Sequence, residues 1–110
     1  MINTVLFGAG QVGAMVARLL GVAHRAVCFA DNSEAKWGGS LAGLPIVSPR
    51  ESLALGPDCV CLCVLDAERA AQMEAQLRDL GYAGPIVRPE QLSLFDARVA
   101  TMRLLAEQIH

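Results

Sequence analysis

The chain contains a glycine-rich hexapeptide, GAGQVG, that matches the pattern G-x-G-x-x-G. Its residues are Gly8, Ala9, Gly10, Gln11, Val12 and Gly13. In this pattern the first glycine permits a sharp turn, the second lets a ligand approach the backbone, and the third lets a helix approach a sheet. A helix that begins here directs unpaired N–H groups and a partial positive charge at its N-terminus. The hexapeptide therefore predicts a phosphate site made of peptide amides, without a lysine or arginine.

An acidic residue follows the hexapeptide at the distance expected for a dinucleotide-binding fingerprint. Asp31 ends the second predicted strand, about 20 residues after the glycines. Its carboxylate can accept hydrogen bonds from ribose hydroxyls and would repel a 2′-phosphate, which favours an NAD-like ligand over an NADP-like one. The alternative is that the glycines only permit tight packing and that Asp31 only caps a loop.

Three further side chains are candidates for contact with the ligand. Val64 and Leu65 end the fourth predicted strand and could flank a base or a nicotinamide ring. Trp37 follows Asp31 in an irregular segment, where it could either cover a base or pack on the edge of the sheet. Asp66 is interpreted as a helix N-cap rather than as a ligand contact.

Strands and helices alternate along the chain and would position these residues. Apolar runs predict strands at residues 3–7, 25–30, 44–47, 59–65 and 86–87. Helical patterns run from the glycines to residue 21, from a capping box at residues 48–51 to residue 56, and over residues 66–81. Residues 32–43 are predicted to be a loop. The alternation predicts an α/β fold: a Rossmann-like open parallel sheet of about five strands in the order 3-2-1-4-5, with helices on both faces.

The predicted domain covers residues 1–92, and residues 93–110 are assigned to a C-terminal helix. After Asp96 an apolar stripe recurs at helical spacing. Its members are Val99, Met102, Leu105, Ala106 and Ile109. Three roles remain open for this helix: docking on the domain's own sheet, a homodimer contact, or a link to a catalytic domain outside the chain.

Composition excludes several classes of protein. Hydrophobic residues make up 54% of the 110 residues and charged residues 18%, which indicates a packed core rather than disorder. The formal charge of −2 and the absence of a basic run argue against nucleic-acid binding. No apolar stretch approaches the ~20 residues of a membrane span. A cytoplasmic protein with a small-molecule nucleotide ligand is expected.

The residues that usually perform catalysis or bind metals are poorly placed. Cys59, Cys61 and Cys63 alternate along one strand without C-x-x-C spacing, so we interpret them as buried hydrophobic residues rather than as disulfides or metal ligands. The only tyrosine, Tyr82, is not followed by the lysine of a Tyr-x-x-x-Lys pair. His24 is predicted to be a solvated turn residue. We therefore assign no catalytic residue and no metal site.

Three stretches of the sequence resemble a known family. They are TVLFGAGQVGAMVARLL, FADNSEAKWGGSLAGLPIVSPRESL and DCVCLCVLDAERAAQMEAQLRDLG. The resemblance is to the N-terminal Rossmann-like nucleotide-binding domain of bacterial polysaccharide-biosynthesis proteins, which include nucleotide-sugar dehydratase/epimerases and related sugar acyltransferases. It covers roughly residues 2–92. Its most specific part consists of Asp31, Asn32, Trp37, Gly38, Gly43, Pro45 and Val47.

The resemblance implies a nucleotide-binding module with NAD, a UDP-sugar or CoA as ligand. Residues 8–12 would form its phosphate loop, and Asp31 and Asn32 would lie at the ribose. The acyltransferase branch often has Gly-His where this chain has Gln11-Val12, so the NAD branch is favoured. The catalytic domains of either branch are absent from these residues. The alternative from another class is a ligand-free oligomerisation or interaction domain.

Overall fold

The computed structural model describes residues 1–21 and 23–92, which form one sheet with helices on both faces. The strands are β1 (Ile2–Phe7), β2 (His24–Ala30), β3 (Ser40–Leu41), β4 (Leu44–Val47), β5 (Cys59–Leu62) and β6 (Ile86–Val87). The α-helices are α1 (Gln11–Leu19), α2 (Pro49–Ala54) and α3 (Ala67–Asp79), and a 3₁₀ turn spans Glu34–Lys36. The C-terminal helix predicted at residues 93–110, with its stripe from Val99 to Ile109, lies outside the described residues.

The six strands lie in the order β3-β4-β2-β1-β5-β6. The five predicted strands pair in parallel and in the predicted order, which confirms the Rossmann-like α/β prediction. The sixth strand, β3, pairs antiparallel with β4 and falls in the segment that was predicted to be a loop. Ala42 and Gly43 join the two strands with positive φ angles of 50° and 79°, the conformation of a tight hairpin turn. Alanine rarely adopts this conformation, so the sequence carried little signal for the hairpin.

Each face of the sheet buries its own core. On one face Val5, Phe7 and Leu62 pack with α3 through Ala70, Met73 and Leu77. On the other face Leu6, Phe29 and Cys61 pack with α1 through Val16. Because successive side chains of a strand point to opposite faces, the fully apolar sequence of the central strands supplies both cores at once.

Two predictions at the ends of strands were wrong. β5 ends at Leu62 rather than at residue 65, because the Val64 N–H turns back to the Leu62 carbonyl at 2.9 Å and the chain leaves the sheet. His24 is not a solvated turn residue. It begins β2 with only 8% of its surface exposed, and its Nδ1 lies 2.9 Å from Thr4 Oγ1.

All four cysteines are free and buried, which confirms their interpretation as apolar residues of the core. Burial raises the pKa of Cys28 from 9.0 to about 11. Burial also raises the pKa of Cys59 to about 11, with smaller contributions from Cys61 and Asp58. These thiols are therefore protonated at neutral pH.

The raised pKa values lead to a prediction about pH. An unfolded chain loses thiol protons near pH 9, whereas the folded chain keeps those of Cys28 and Cys59 to about pH 11. The free energy of unfolding is therefore expected to decrease as the pH rises through this interval, because deprotonation favours the unfolded state. Urea unfolding at about pH 8 and about pH 10 measures the change. Rapid modification of these thiols by Ellman's reagent in the native protein at about pH 8 would contradict the assignment.

Candidate functional site

The carboxyl ends of β1, β2 and β5 meet beside the glycine loop. β1 lies between β2 and β5 and pairs in parallel with both. The chain leaves β1 for β2 through α1 on one face, and it later reaches β5 on the opposite side of β1. The strand order thus reverses at β1, which is called the topological switch point of the sheet. Ligands of open α/β sheets bind there, outside the carboxyl ends of the strands. The fold therefore places the predicted phosphate loop at the expected position.

The first and third glycines of the loop are required by its structure. Gly8 has a φ of 121°, and its N–H donates to the Ala30 carbonyl at 2.8 Å, so the chain turns directly off β1. A Cβ on Gly13 would overlap the Gly8 carbonyl oxygen and would lie 2.8 Å from Phe29 Cε1. These two glycines agree with the tight-packing interpretation as well as with the ligand-binding one.

Gly10 differs, because no packing contact explains it. A Cβ at this position would meet no heavy atom within 4 Å. Its φ of −127° is accessible to any residue, and it is the N-cap of α1. No side chain caps the helix, and its first turn carries no acidic residue. The N-terminus of α1 thus presents backbone N–H groups and a partial positive charge to open space.

A cleft of about 420 Å³ lies over this helix terminus. Its lining consists of Gly8, Ala9, Gly10, Gln11, Val12, Asp31, Lys36, Cys63, Val64, Leu65, Asp66 and Arg69. Eight of the predicted site residues are in this set, whereas Gly13, Asn32 and Trp37 are not. The structure therefore brings together the loop, the end of β2 and the end of β5.

Asp31 is bound to the glycine loop itself. Its Oδ2 accepts a hydrogen bond from the Ala9 N–H at 2.8 Å, and its Oδ1 accepts one from the Ser33 N–H at 2.7 Å. The side chain is only 15% exposed. Asp31 therefore has the loop-capping role that was considered as the alternative. A carboxylate oxygen accepts more than one hydrogen bond, so some capacity for a ligand hydroxyl remains.

Lys36 is a site residue that the sequence analysis missed. Its Nζ donates to the Ala9 carbonyl at 3.0 Å and lies 3.7 Å from Asp31 Oδ2, with 45% of the side chain exposed. The sequence analysis expected a phosphate site made of peptide amides alone, whereas the lining of the cleft also includes two cationic side chains, Lys36 and Arg69. The ammonium also offsets the negative charge by which Asp31 was expected to repel a 2′-phosphate.

Asn32 and Trp37 lie beside the cleft rather than in it. Asn32 and Gln76 of α3 exchange two hydrogen bonds through their amides, at 2.9 and 2.7 Å. Asn32 lines a neighbouring polar cleft of about 510 Å³, which shares Asp66 and Arg69 with the first. The Trp37 indole Nε1 donates to the Asp31 carbonyl at 2.7 Å. Both side chains thus stabilise the end of β2.

Polar contacts hold the loop that carries Val64 and Leu65. Arg88 Nη2 lies 3.2 Å from the Val64 carbonyl oxygen and 3.3 Å from that of Leu65, and donates to both. The Asp66 side chain accepts from the Glu68 N–H at 3.2 Å, which confirms its interpretation as the N-cap of α3. Arg88 comes directly after β6, and only the parallel pairing of β6 with β5 brings it to this loop.

Residues 1–21 and 23–92 contain neither a metal-binding cluster nor a membrane-spanning helix. These residues contain no group of three or more His, Cys, Asp or Glu side chains that could hold a metal ion. None of their helices has the length and apolar character needed to cross a membrane.

The fold is similar to those of several solved structures. UDP-D-quinovosamine 4-dehydrogenase from Vibrio fischeri matches 70% of this chain and 70% of its own chain, with 19% identity and a TM-score of 0.56. RSP, a Rex-family repressor, matches the whole of this chain with 14% identity and a TM-score of 0.59. RSP in complex with β-NAD⁺ and operator DNA matches 98% of this chain with a TM-score of 0.58.

The sequence comparisons add no family. No protein-family model matches the chain, and no curated protein matches it significantly. The chain spans 61% to 64% of the RSP chains that it matches. At identities below 20% these similarities show a Rossmann-like fold alone, because one fold hosts many unrelated functions.

Proposed function

We propose that this chain is a nucleotide-binding module that holds a diphosphate-containing ligand, with an NAD-like dinucleotide favoured. The observation that carries the proposal is the open N-terminus of α1 at Gly10. Packing does not require glycine there, and no side chain caps the helix. A ligand that must approach the backbone closely explains the glycine, and an anion satisfies the amides of the first helical turn.

The rest of the cleft suits the remaining parts of a nucleotide. Val64 and Leu65 form an apolar wall on the β5 side, and Asp31 and Lys36 supply polar groups at the end of β2. The cleft and its polar neighbour have volumes of about 420 and 510 Å³. Both lie within the range of about 300–1,000 Å³ that small-molecule sites occupy. Because they share Asp66 and Arg69, an extended ligand can occupy both.

The structural neighbours support NAD more than the other candidates. RSP has been crystallised with β-NAD⁺ and with β-NADH. A nucleotide-sugar role has the support of the sequence resemblance and of one neighbour that is named for a UDP-sugar. We therefore keep a UDP-sugar as the second candidate and CoA as the third. In this proposal the catalytic residues belong to a domain or partner outside the chain.

The proposal includes no nucleic-acid partner. RSP has been solved on operator DNA, but this chain spans only 61% of the RSP chain in that complex. The net charge of −2 still predicts no nucleic-acid binding for the present residues. The cytoplasmic location likewise stays a prediction from the sequence.

Calorimetric titration of the full chain tests the proposal. We expect binding of NAD⁺ or NADH, weaker binding of a UDP-sugar, and competition by inorganic pyrophosphate at the same site. Absence of binding for NAD⁺, NADH, UDP-sugars and CoA alike would overturn it.

Lys36→Met provides a prediction about ligand choice. Removal of the ammonium leaves the Asp31 charge uncompensated at the edge of the cleft. We expect the affinity for NADP⁺ to fall more than that for NAD⁺, by a further factor of about two to five, since one part-exposed charge contributes about 0.2–1 kcal/mol. Titration of both cofactors into both proteins measures the ratio. Equal losses for the two cofactors would show that Lys36 does not face the ribose end of the ligand.

A further inference from the structure

An apolar groove runs along α1 on the face of the sheet that contains Phe29 and Cys61. Its volume is about 230 Å³. The lining consists of Met15, Val16, Leu19, Leu20, Leu65, Pro89, Glu90 and Leu92. Met15 is 48% exposed and Leu19 is 71% exposed. An amphipathic helix normally buries its apolar stripe, so the described residues leave part of the α1 stripe uncovered.

The topology indicates what is missing from this face. Within the described part of the chain, α2 and α3 pack on one face of the sheet and α1 alone packs on the other. After β6 the chain passes to the α1 face, where the buried Leu92 joins the cluster of Leu6 and Phe29. Leu92 also lines the groove. The chain therefore reaches the groove at the last residue that the structure describes.

We propose that the groove is the docking site of this chain's own residues 93–110. Three residues, 93–95, separate Leu92 from the predicted N-cap Asp96, and they can span about 10 Å. The stripe Val99, Met102, Ala106 and Ile109 repeats at the spacing that would match an apolar groove along a helix. Docked in the groove, this stripe would cover the exposed side chains of Met15 and Leu19.

The same chain is a better occupant than a second copy. A short tether holds the segment beside the groove at an effective concentration in the millimolar range. A second copy of the chain at micromolar concentration is about a thousandfold more dilute than the tethered segment, so the segment occupies the groove in preference to it. This inference does not rest on the proposed nucleotide function, because the groove lies along α1 and shares only Leu65 with the cleft at the N-terminus of α1.

Engineered cysteines in the full chain test the docking. Met15→Cys with Met102→Cys is expected to form an intramolecular disulfide, seen as a monomer of increased mobility on a non-reducing gel. The native cysteines do not compete, because all four are buried. The matched control is Met15→Cys with Arg103→Cys, which moves the second thiol off the stripe. Disulfide-linked dimers, or equal intramolecular cross-linking in both variants, would overturn the proposal.

A second pair of variants avoids engineered disulfides. Leu19→Ser replaces an exposed groove residue, and Leu55→Ser replaces a residue of similar exposure, 62%, away from the groove. If the segment covers Leu19, only Leu19→Ser lowers the urea midpoint, because it removes apolar surface from a buried contact. Equal midpoints for the two variants would show that Leu19 stays in water.

Discussion

Gly10→Asp is expected to abolish nucleotide binding while the folded protein becomes no less stable. The position is the uncapped N-cap of α1, with backbone angles accessible to aspartate and no atom within 4 Å of a Cβ. Aspartate is among the preferred N-cap residues, and its charge interacts favourably with the helix dipole. The same carboxylate would fill the space of a ligand phosphate and would repel its negative charge. We expect affinity to fall at least about 100-fold, which corresponds to about 2.8 kcal/mol.

The measurement for Gly10→Asp combines calorimetric titration with thermal unfolding. Gly10→Asn is the matched control, since it can cap the helix equally well but carries no charge. A smaller loss of affinity with asparagine would separate the contribution of charge from that of volume. Unchanged affinity in Gly10→Asp would exclude the N-terminus of α1 as the phosphate site, whatever ligand the chain binds.

Gly13→Ala is expected to have the opposite result, with a large loss of stability. In an exposed helix this change would stabilise by up to about 1 kcal/mol. Here the new Cβ would overlap the Gly8 carbonyl oxygen and would lie 2.8 Å from Phe29 Cε1. The Gly8 backbone is held by its hydrogen bond to the Ala30 carbonyl, and Phe29 is fully buried in the core. We expect a destabilisation of about 3 kcal/mol, the upper end for overpacking.

Urea unfolding measures this effect, with Gly10→Ala as the control. Gly10 lies three residues earlier in the same loop but has open space around it, so its substitution costs little through packing. A midpoint for Gly13→Ala at or above that of the unmodified chain would show that α1 can move away from β1. That result would remove the structural reason for the third glycine.

The features that the sequence predicted correctly depend on residues close together in the chain. The parallel strands were predicted because their residues are apolar on both faces, as strands covered by helices on both sides must be. The N-caps Ser48 and Asp66 were predicted because capping depends on residues two or three positions apart, and the structure shows both bonds. The strand order was predicted because right-handed crossovers leave few topologies for such a chain.

The features that the sequence predicted wrongly, or did not predict, involve either unusual backbone conformations or contacts between residues distant in sequence. The β3–β4 hairpin was missed because its turn places Ala42 in a conformation that usually requires glycine or asparagine. His24 is buried beside Thr4 of the neighbouring strand β1, a residue 20 positions away in the sequence. Lys36 was missed because its interaction with Ala9 joins residues 27 positions apart.

The amino-acid sequence by itself determined the fold class, the position of the glycine loop and the buried state of the cysteines, because each follows from periodicity or from spacing along a short stretch. Only the tertiary structure decided the charge of the cleft and how far the Asp31 carboxylate is free to accept hydrogen bonds from a ligand. Lys36 reaches the loop only after β2 has paired with β1, and the Asp31 carboxylate binds a backbone amide whose position the sheet sets. Electrostatic interactions depend on distances between atoms, and the fold alone establishes those distances.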